Sequence, residues 1–470
     1  MKNNDSTIKK NQIFTIQIDD MTDLGFGVGR IEGKVVFVSD AVAGDLCEVK
    51  IIKVNSSYLI GKIEKLITPS PARSESFCRE DCKSCAYRLI SYEDEANRKE
   101  EATRRLFSSS ELSHITTERI ITSPSVCRYR NKAQYPIALK GEEYAVGFYA
   151  PKTHRVNEVK DCPLSPAVFA SIIDELKLFF KENSLSVYNE EDGKGLLRHV
   201  YLRRGEVSGE VLLTIVINGE QIPNASDLVD RITKKFPEIV GILLNVNKDD
   251  TNVVLGREYK TLYGRDHIFD TLAGVRLKIT APSFYQVNHD CAELLYAKAR
   301  ELAAVEKSDT LLDLYCGAGS IGLSMAKDAG KVIGIEIVES AIECAKFNAE
   351  LNGITNAEFF VGDAADTEKL LDEAEKALGE KIAPDVIILD PPRAGCDQGL
   401  IDFVSRLDPK RIVYISCNPK TLARDVKQFI ANGFNCSSVT PVDMFPRTGH
   451  VESVVCLTRR LDNELRERMN

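Results

Sequence analysis

From about Gln12 to Ile67 apolar and polar positions alternate in short runs broken by glycine. These runs are Ile13-Phe14-Thr15-Ile16-Gln17-Ile18, Gly25-Phe26-Gly27-Val28-Gly29-Arg30 and Lys34-Val35-Val36-Phe37-Val38. A period of two puts one side of each strand in a core and the other in water, so short strands joined by glycine turns predict a small β-barrel. Pro69-Ser70-Pro71 closes it as a linker. Ser91 to Phe107 has helical composition and leads into a mixed α+β stretch ending near Asp270. The texture changes from Ala281. A helix is predicted around Ala292 to Leu302, then a strand at Thr310 to Leu314, then alternating helices and strands, the latter at Lys331 to Glu336, Ala357 to Val361, Asp385 to Leu389 and Arg411 to Ile415. Such alternation predicts a doubly wound, mainly parallel sheet. The expected fold class is multidomain α/β: an OB-like barrel over 1–67, a central α+β domain over 68–270 and a Rossmann-like domain over 271–470.

Length and composition agree with this division, because 470 residues with 43% hydrophobic content suffice for about three cores. No apolar run approaches the roughly 20 residues of a membrane span, and the first residues lack a hydrophobic signal region, so no membrane partner and a cytoplasmic location are expected. Thirteen cysteines without a paired framework suit a reducing compartment, with metal-binding or catalytic thiols among ordinary buried ones. The oligomeric state is not legible, and a monomer is compatible with everything here. A net charge of -9 argues against a generic polyanion binder. It leaves room for a local basic groove, and Arg128-Tyr129-Arg130-Asn131-Lys132, Arg198-His199 and Arg203-Arg204 are compact basic clusters. His199 reads equally well as a packed core residue or a base contact. Tryptophan is absent, so any base stacking falls to Tyr, Phe, His or Arg.

Asp313-x-Tyr315-x-Gly317-x-Gly319 follows a predicted strand and opens a helix. Glycines there let a ligand approach the backbone, and an acid ending the second strand, here Glu336, can accept both ribose hydroxyls. The ordered acids Asp313, Glu336, Asp363 and Asp390 at successive strand ends point to S-adenosylmethionine, while a dinucleotide would call for G-x-G-x-x-G at the first turn. Exocyclic-amine methylases usually carry Asn-Pro-Pro-aromatic after the fourth strand. Asp390-Pro391-Pro392-Arg393 departs from that, which points to a carbon as methyl acceptor. A pyrimidine C5 is a poor nucleophile until another nucleophile adds at C6, so the reaction needs a thiol and then a base for the C5 proton. Cys417, in Ser416-Cys417-Asn418-Pro419, and Glu452, in His450-Val451-Glu452, supply those groups. An ordinary thiol pKa of about 8.5 leaves few thiolates at neutral pH, and backbone N–H groups beside Cys417 are expected to help. Cys316 is a rival nucleophile, but it belongs to the glycine loop and lacks a partner acid. Cys78-x3-Cys82-x2-Cys85, with Cys162-Pro163 as fourth ligand, is spaced for an iron–sulfur centre; zinc stays open, and the short spacing also equals the radical S-adenosylmethionine signature.

Ser283-Phe284-Tyr285-Gln286-Val287-Asn288, Asp390-Pro391-Pro392-Arg393, Ser416-Cys417-Asn418-Pro419 and His450-Val451-Glu452, in that order, resemble the motifs of the RNA (uracil-5-)-methyltransferase family. Gly25 to Val38, with Ala43-Gly44-Asp45 and Gly61-Lys62-Ile63, resembles the TRAM domain, an RNA-binding barrel. With that barrel and the cysteine cluster, nearly the whole chain resembles the 23S ribosomal RNA branch; the transfer-RNA branch commonly lacks both. The resemblance implies a pocket for S-adenosylmethionine lined by Gln286, Tyr315, Glu336, Asp363 and Asp390. It also implies Cys417 as nucleophile, Glu452 as base, and a [4Fe-4S] cluster on Cys78, Cys82, Cys85 and Cys162. The spacing of the first two cysteines and the residues around the third depart from the family's usual pattern. The implied partner is a single-stranded or looped segment of 23S rRNA, since the uracil must leave its stack. The alternatives are the same chemistry on tRNA, and a non-catalytic iron–sulfur RNA-binding sensor.

Overall fold

The computed structural model describes residues 8–460 apart from 79, 81, 83, 152 and 380. The alternating N-terminal pattern becomes β1 (Ile13–Met21), β2 (Gly27–Ile31), β3 (Lys34–Ser39), β4 (Leu46–Val54) and β5 (Tyr58–Thr68), closed in the order β1-β2-β3-β5-β4. Its core holds Ile16, Ile18, Val36, Val38, Val49 and Leu59. Gly25, at positive φ in the β1–β2 turn, lies so close to the carbonyl of Ala86 that a Cβ would collide with it. The barrel therefore packs directly on the cysteine-rich segment. The Pro69-Ser70-Pro71 linker is pinned: buried Asp45 accepts from the amides of Val42 (2.7 Å) and Ser70 (2.8 Å) and pairs with Arg73.

Next come α1 (Tyr92–Ser109), capped by Ser91 Oγ on the amide of Asp94, and the two-residue β6 (Thr116–Thr117). The central sheet contains β7 (Lys132–Lys140), β8 (Glu143–Tyr149), β9 (Val156–Glu158), β10 (Leu197–Arg204), β11 (Val211–Ile217), β12 (Ile239–Val246) and β13 (Glu258–Gly264). Its strand order is β13-β12-β11-β10-β7-β8-β9. α2 (Ala167–Glu182) and α3 (Ala225–Lys235) cover one face through Phe169, Leu176, Phe179, Leu228 and Ile232. Tyr201, Leu212 and Leu243 on the other face join a core shared with the hairpin β14 (His267–Leu272) and β15 (Val275–Thr280) and with the C-terminal region. β14 thus straddles position 270/271.

The last region alternates α4 (His289–Ala303), β16 (Thr310–Leu314), α5 (Ser320–Met325), β17 (Lys331–Glu336), α6 (Glu339–Leu351), β18 (Ala357–Val361), α7 (Thr367–Leu378), β19 (Val386–Leu389), α8 (Gln398–Arg406), β20 (Arg411–Ser416) and α9 (Pro419–Ala431). It ends with β21 (Phe434–Val442) and β22 (Glu452–Arg459). The eight-stranded sheet runs β18-β17-β16-β19-β20-β22-β21-β6. β16 to β20 are parallel, as their patterns predict, and the order reverses between β16 and β19, where ligands bind open α/β sheets. β22 is antiparallel to β20, and β6 joins the edge from before the central sheet. A two-residue strand carries no periodic signal, which is why the sequence reading placed that segment with the central domain. No helix among the described residues is long and apolar enough to cross a membrane.

Candidate active site

Antiparallel pairing brings the thiol and the carboxylate together. β20 and β22 pair in a register that ends at Ser416 opposite Ser453. Cys417 directly follows that last pair and Glu452 directly precedes it, so the two flank the same end of the ladder, and Glu452 is close enough to act on the thiol. The turn after β20 is held by Ser416 Oγ accepting from the amide of Asn418 (3.1 Å) and by Asn418 Oδ1 capping α9 at the amide of Lys420 (3.1 Å). Pro419 takes the first helical position, where its missing N–H costs nothing. Asn418 Nδ2 also donates to the carbonyl of Arg393 (3.0 Å), tying the thiol turn to the Asp390-Pro391-Pro392-Arg393 loop.

Burial dominates the electrostatics here. It pushes the Cys417 thiol above its ordinary value, Glu452 adds to the rise, and Arg393 opposes it. The expected lowering by backbone N–H groups is thus outweighed in the free protein, because desolvation of a thiolate costs more than a helix end returns. Glu452 is 6% exposed, and its carboxyl is pushed up to about 8, first by burial and then by Asp390, against the pull of Arg393. Arg393 Nη2 stands 3.2 Å from His450 Nδ1, whose imidazole is held below its usual pKa by burial and by neighbouring cations.

The connection between β21 and β22 that delivers Glu452 is anchored to α1. Lys99 Nζ donates to Glu95 Oε1 (2.7 Å), Asp443 Oδ1 (2.7 Å) and the carbonyl of Phe445 (3.2 Å), while Glu95 Oε1 accepts from the amide of Arg447 (2.6 Å). Tyr129 Oη donates to the carbonyl of Pro446 (2.9 Å), and Asn288 Nδ2 to that of Met444 (3.1 Å). Lys99, Glu95 and Asp443 are fully buried, so their charges persist only as a paired set.

A cleft at the carboxyl edge of the sheet is lined by Gln286, Tyr315, Gly317 and Asp390 together with Phe284 and Tyr296. Tyr315 (φ 65°), Gly317 (φ 55°) and Gly319 (φ 79°) all adopt the left-handed conformation. A Cβ on Gly317 would project into open space, so the loop backbone is accessible to a ligand. Glu336 reaches the cleft by accepting from the amide of Gly317 (3.2 Å), with its other oxygen on the amide of Val338 (2.9 Å). Asp363 ends β18, one strand further out, and accepts from the amide of Ala365 (2.9 Å) without lining the cleft. Asp313 receives the amide of Gly322 (2.9 Å) on one oxygen. The other is buried without a partner among the described residues, and burial pushes the carboxyl up to about 7. An orphaned acceptor beside an open glycine backbone fits a ligand with an amino group. Cys316 points into the shared core, 6% exposed, its thiol raised well above the usual value by burial and by Asp313 and Glu336. It lines the donor cleft and is not paired with Glu452.

Cys78, Cys82, Cys85 and Cys162 converge on one cavity of about 290 Å³, with Arg130, Lys132 and Thr448 in the same wall. All four are free thiols. Burial pushes Cys85 up to about 12, with Cys162, Cys82 and Cys78 adding to it. Among the described residues no three ligating side chains converge closely enough to hold a single ion. Cys47 lies in the barrel core, and Cys127 does not line the cavity.

Residues 97–460 match the family model described as tRNA (Uracil-5-)-methyltransferase. The chain belongs to this family. Residues 9–63 match the TRAM domain. An uncharacterized RNA methyltransferase of Bacillus cereus is 39% identical over 455 residues, covering 96% of this chain and 98% of the relative. Another from Clostridium acetobutylicum is 38% identical, covering 96% and 98%. Among solved structures, the Pyrococcus abyssi tRNA (uracil-54, C5)-methyltransferase in complex with S-adenosyl-L-homocysteine has a TM-score of 0.76 at 28% identity, covering 95% of this chain and 100% of that one.

Within this uracil-5-methyltransferase chain the structure adds residues that sequence reasoning passed over. Arg393 and His450 stood inside quoted motifs, so their spacing could have flagged them. The Lys99–Glu95–Asp443 group could not be found that way, because Asp443 lies more than three hundred residues from the other two. The basic clusters are a correction. Arg198 Nη1 is taken by the carbonyls of Asn247 (2.7 Å) and Asp249 (2.9 Å), and Arg203, 1% exposed, donates to Ser283 O (2.7 Å) and Tyr201 Oη (2.9 Å). Lys132 is half-buried, and desolvation lowers it to about 8. Arg198 thus ties β10 to the segment after β12 and Arg203 ties it to the C-terminal region, so neither is open to an RNA backbone.

Proposed function

We propose that this chain transfers a methyl group to C5 of uridine in 23S rRNA, with Cys417 as nucleophile and Glu452 as base. The reading rests above all on the β20–β22 register, which places a thiol and a buried carboxylate at the same end of the ladder, at the edge of a donor cleft. Cys417 adds to C6 of the uracil, which makes C5 nucleophilic. When bound, S-adenosylmethionine supplies the methyl group as an electrophilic sulfonium carbon; Gln286, Tyr315, Glu336 and Asp390 would hold it, with Asp363 one strand further out. Glu452 then takes the C5 proton, the C5–C6 double bond re-forms, and the thiolate of Cys417 leaves. A carboxyl pushed up to about 8 is a stronger base than an ordinary one once ionised, and it stands near the working pH where proton transfer is efficient. Arg393 lowers the cost of anionic charge on both groups.

The tRNA reading has an observation of its own. The Pyrococcus abyssi tRNA enzyme is matched over its whole length. The assignment to 23S rRNA rests on the barrel and the cysteine segment, the two additions that the resemblance ties to the ribosomal branch, so this tRNA neighbour is its direct competitor. Total RNA from a deletion strain, fractionated and digested for nucleoside mass spectrometry, is expected to lose 5-methyluridine from 23S rRNA with tRNA unchanged. Loss confined to tRNA overturns the substrate assignment, and no loss from either favours the sensor reading.

The four thiols around one cavity support a [4Fe-4S] cluster, since a cubane spreads its ligands over four irons, whereas a single zinc draws them to about 2.3 Å from one ion. Cys85 and Cys162 pack with Tyr129, and Thr448 shares the cavity wall, so a cluster held there would brace the β21–β22 connection. Protein purified without oxygen is expected to be brown, with about four iron and about four sulfide per chain. Stoichiometric zinc without sulfide would assign the site to zinc.

A further inference from the structure

A second cavity, about 780 Å³, opens in the central region and shares no lining residue with the donor cleft or the cysteine cavity. Its wall is aromatic and polar. The rings of Tyr149 and His154 lie 5.3 Å apart at 31°, and the guanidinium of Arg198 sits 4.3 Å over the ring of Tyr188. His199, 9% exposed, has Nε2 at 3.4 Å from Tyr149 Oη, and its Nδ1 is buried with no partner among the described residues. Arg198, 7% exposed, likewise has an unpartnered Nε. Buried polar atoms are rarely left without a partner, so two on adjacent residues in one cavity wall point to a missing ligand.

The chemistry of the wall selects the kind of ligand. Phosphate would need free cations. Here Arg198 is turned into two backbone carbonyls, His154 pairs with Glu190, and Glu191 adds negative charge to the lining. Burial holds His199 down at about 4, so at neutral pH it offers one donor and one acceptor and no charge. Flat π faces and neutral hydrogen-bonding groups remain, which suit a heteroaromatic ring better than a sugar-phosphate chain. Position decides where such a ring would come from. The β8–β9 connection puts Tyr149 and His154 into this wall and Pro151 into a cleft of about 450 Å³ that holds Arg130 and His450 between barrel and catalytic region. A strand leaving Cys417 past His450 through that cleft would arrive at the cavity.

Building on the RNA-methylation reading, we propose that this cavity receives one unstacked base of the substrate RNA, outside the target uridine, stacked on Tyr149 and Tyr188 and hydrogen-bonded by His199. Tyr149 is 37% exposed and Tyr188 half-buried, so truncating them leaves the core intact. Tyr149→Ala and Tyr188→Ala in the full-length holoenzyme are expected to raise KM for the RNA roughly 5- to 150-fold per stacking face. kcat and KM for S-adenosylmethionine should stay within two-fold, and Tyr188→Phe should restore the RNA KM. Titrating the wild type with UMP and AMP separates the two sources of a base. A mononucleotide bound below millimolar Kd, with the RNA KM unmoved in both alanine variants, makes the cavity a site for free nucleotide and overturns the RNA assignment. An unmoved KM without mononucleotide binding overturns the site altogether, as does an equal fall in kcat and kcat/KM that Tyr188→Phe fails to rescue. Failure of the underlying reading looks different: the Glu452→Gln protein, with both tyrosines intact, would then form no covalent adduct with any RNA.

Discussion

Glu452→Gln is expected to stop the reaction after methyl transfer and leave the protein joined to RNA through Cys417. Addition of the thiol at C6 and attack of C5 on the methyl group do not require the carboxylate. Expulsion of the thiol does, because the C5 proton must leave first, and glutamine is no base. S-adenosylhomocysteine should be released in a single turnover, with a protein–RNA band that survives denaturing electrophoresis and vanishes in the double variant with Cys417→Ala. In the wild type the release step should quicken as pH rises through about 8, since only the ionised carboxylate accepts the proton. Below that pH the adduct should accumulate. Normal turnover of Glu452→Gln, or binding of both substrates without trapping, moves the base elsewhere, and Asp390, in the cleft wall and pushed up to about 7 by desolvation, is the next carboxylate to test.

Cys417→Ala removes the proposed nucleophile. Methylation should fall by at least about 10³-fold, because without the C6 adduct C5 has too little electron density to attack the methyl donor. Affinity for S-adenosylmethionine, measured by calorimetry, should stay within a few-fold, because the donor cleft is lined by Tyr315, Gly317, Gln286 and Asp390 and not by Cys417. Cys316→Ala, by contrast, should keep turnover. Its thiol faces the core behind the glycine loop, and its main role there is packing. Loss of activity in Cys316→Ala together with survival of Cys417→Ala would reverse the two assignments.

Local pattern carried much of this far. Period-two alternation and glycine turns set out the barrel strands, and β17 falls where its apolar run predicts, because a buried strand writes its burial directly into consecutive residues. The glycine loop and the acids ending β16, β17 and β19 were legible for the same reason: each is a short segment whose chemistry depends on its immediate neighbours. Motif order then indicated the family before any fold was in hand.

Other features depend on contacts between distant segments. The pairing of Cys417 with Glu452 was named as a need of the reaction, but only the antiparallel return of β22 beside β20 supplies it, and that register depends on the whole sheet. Lys99 lies on α1, where no local pattern singles it out. Tertiary structure buries it between Glu95 and Asp443, where it holds the connection that leads into Glu452. Arg198 and Arg203 read as an open basic surface and became internal donors, because a guanidinium can be solvated by carbonyls as well as by water, and composition does not say which. Sequence by itself determined the elements, the donor loop and the residue types of the chemistry, since these follow from local periodicity and short-range backbone demands. Which charges are buried, which thiol faces a carboxylate and which carboxyls are driven toward neutral pH were decided only by the tertiary structure, because desolvation and Coulomb terms are properties of the packed surroundings and not of any one segment.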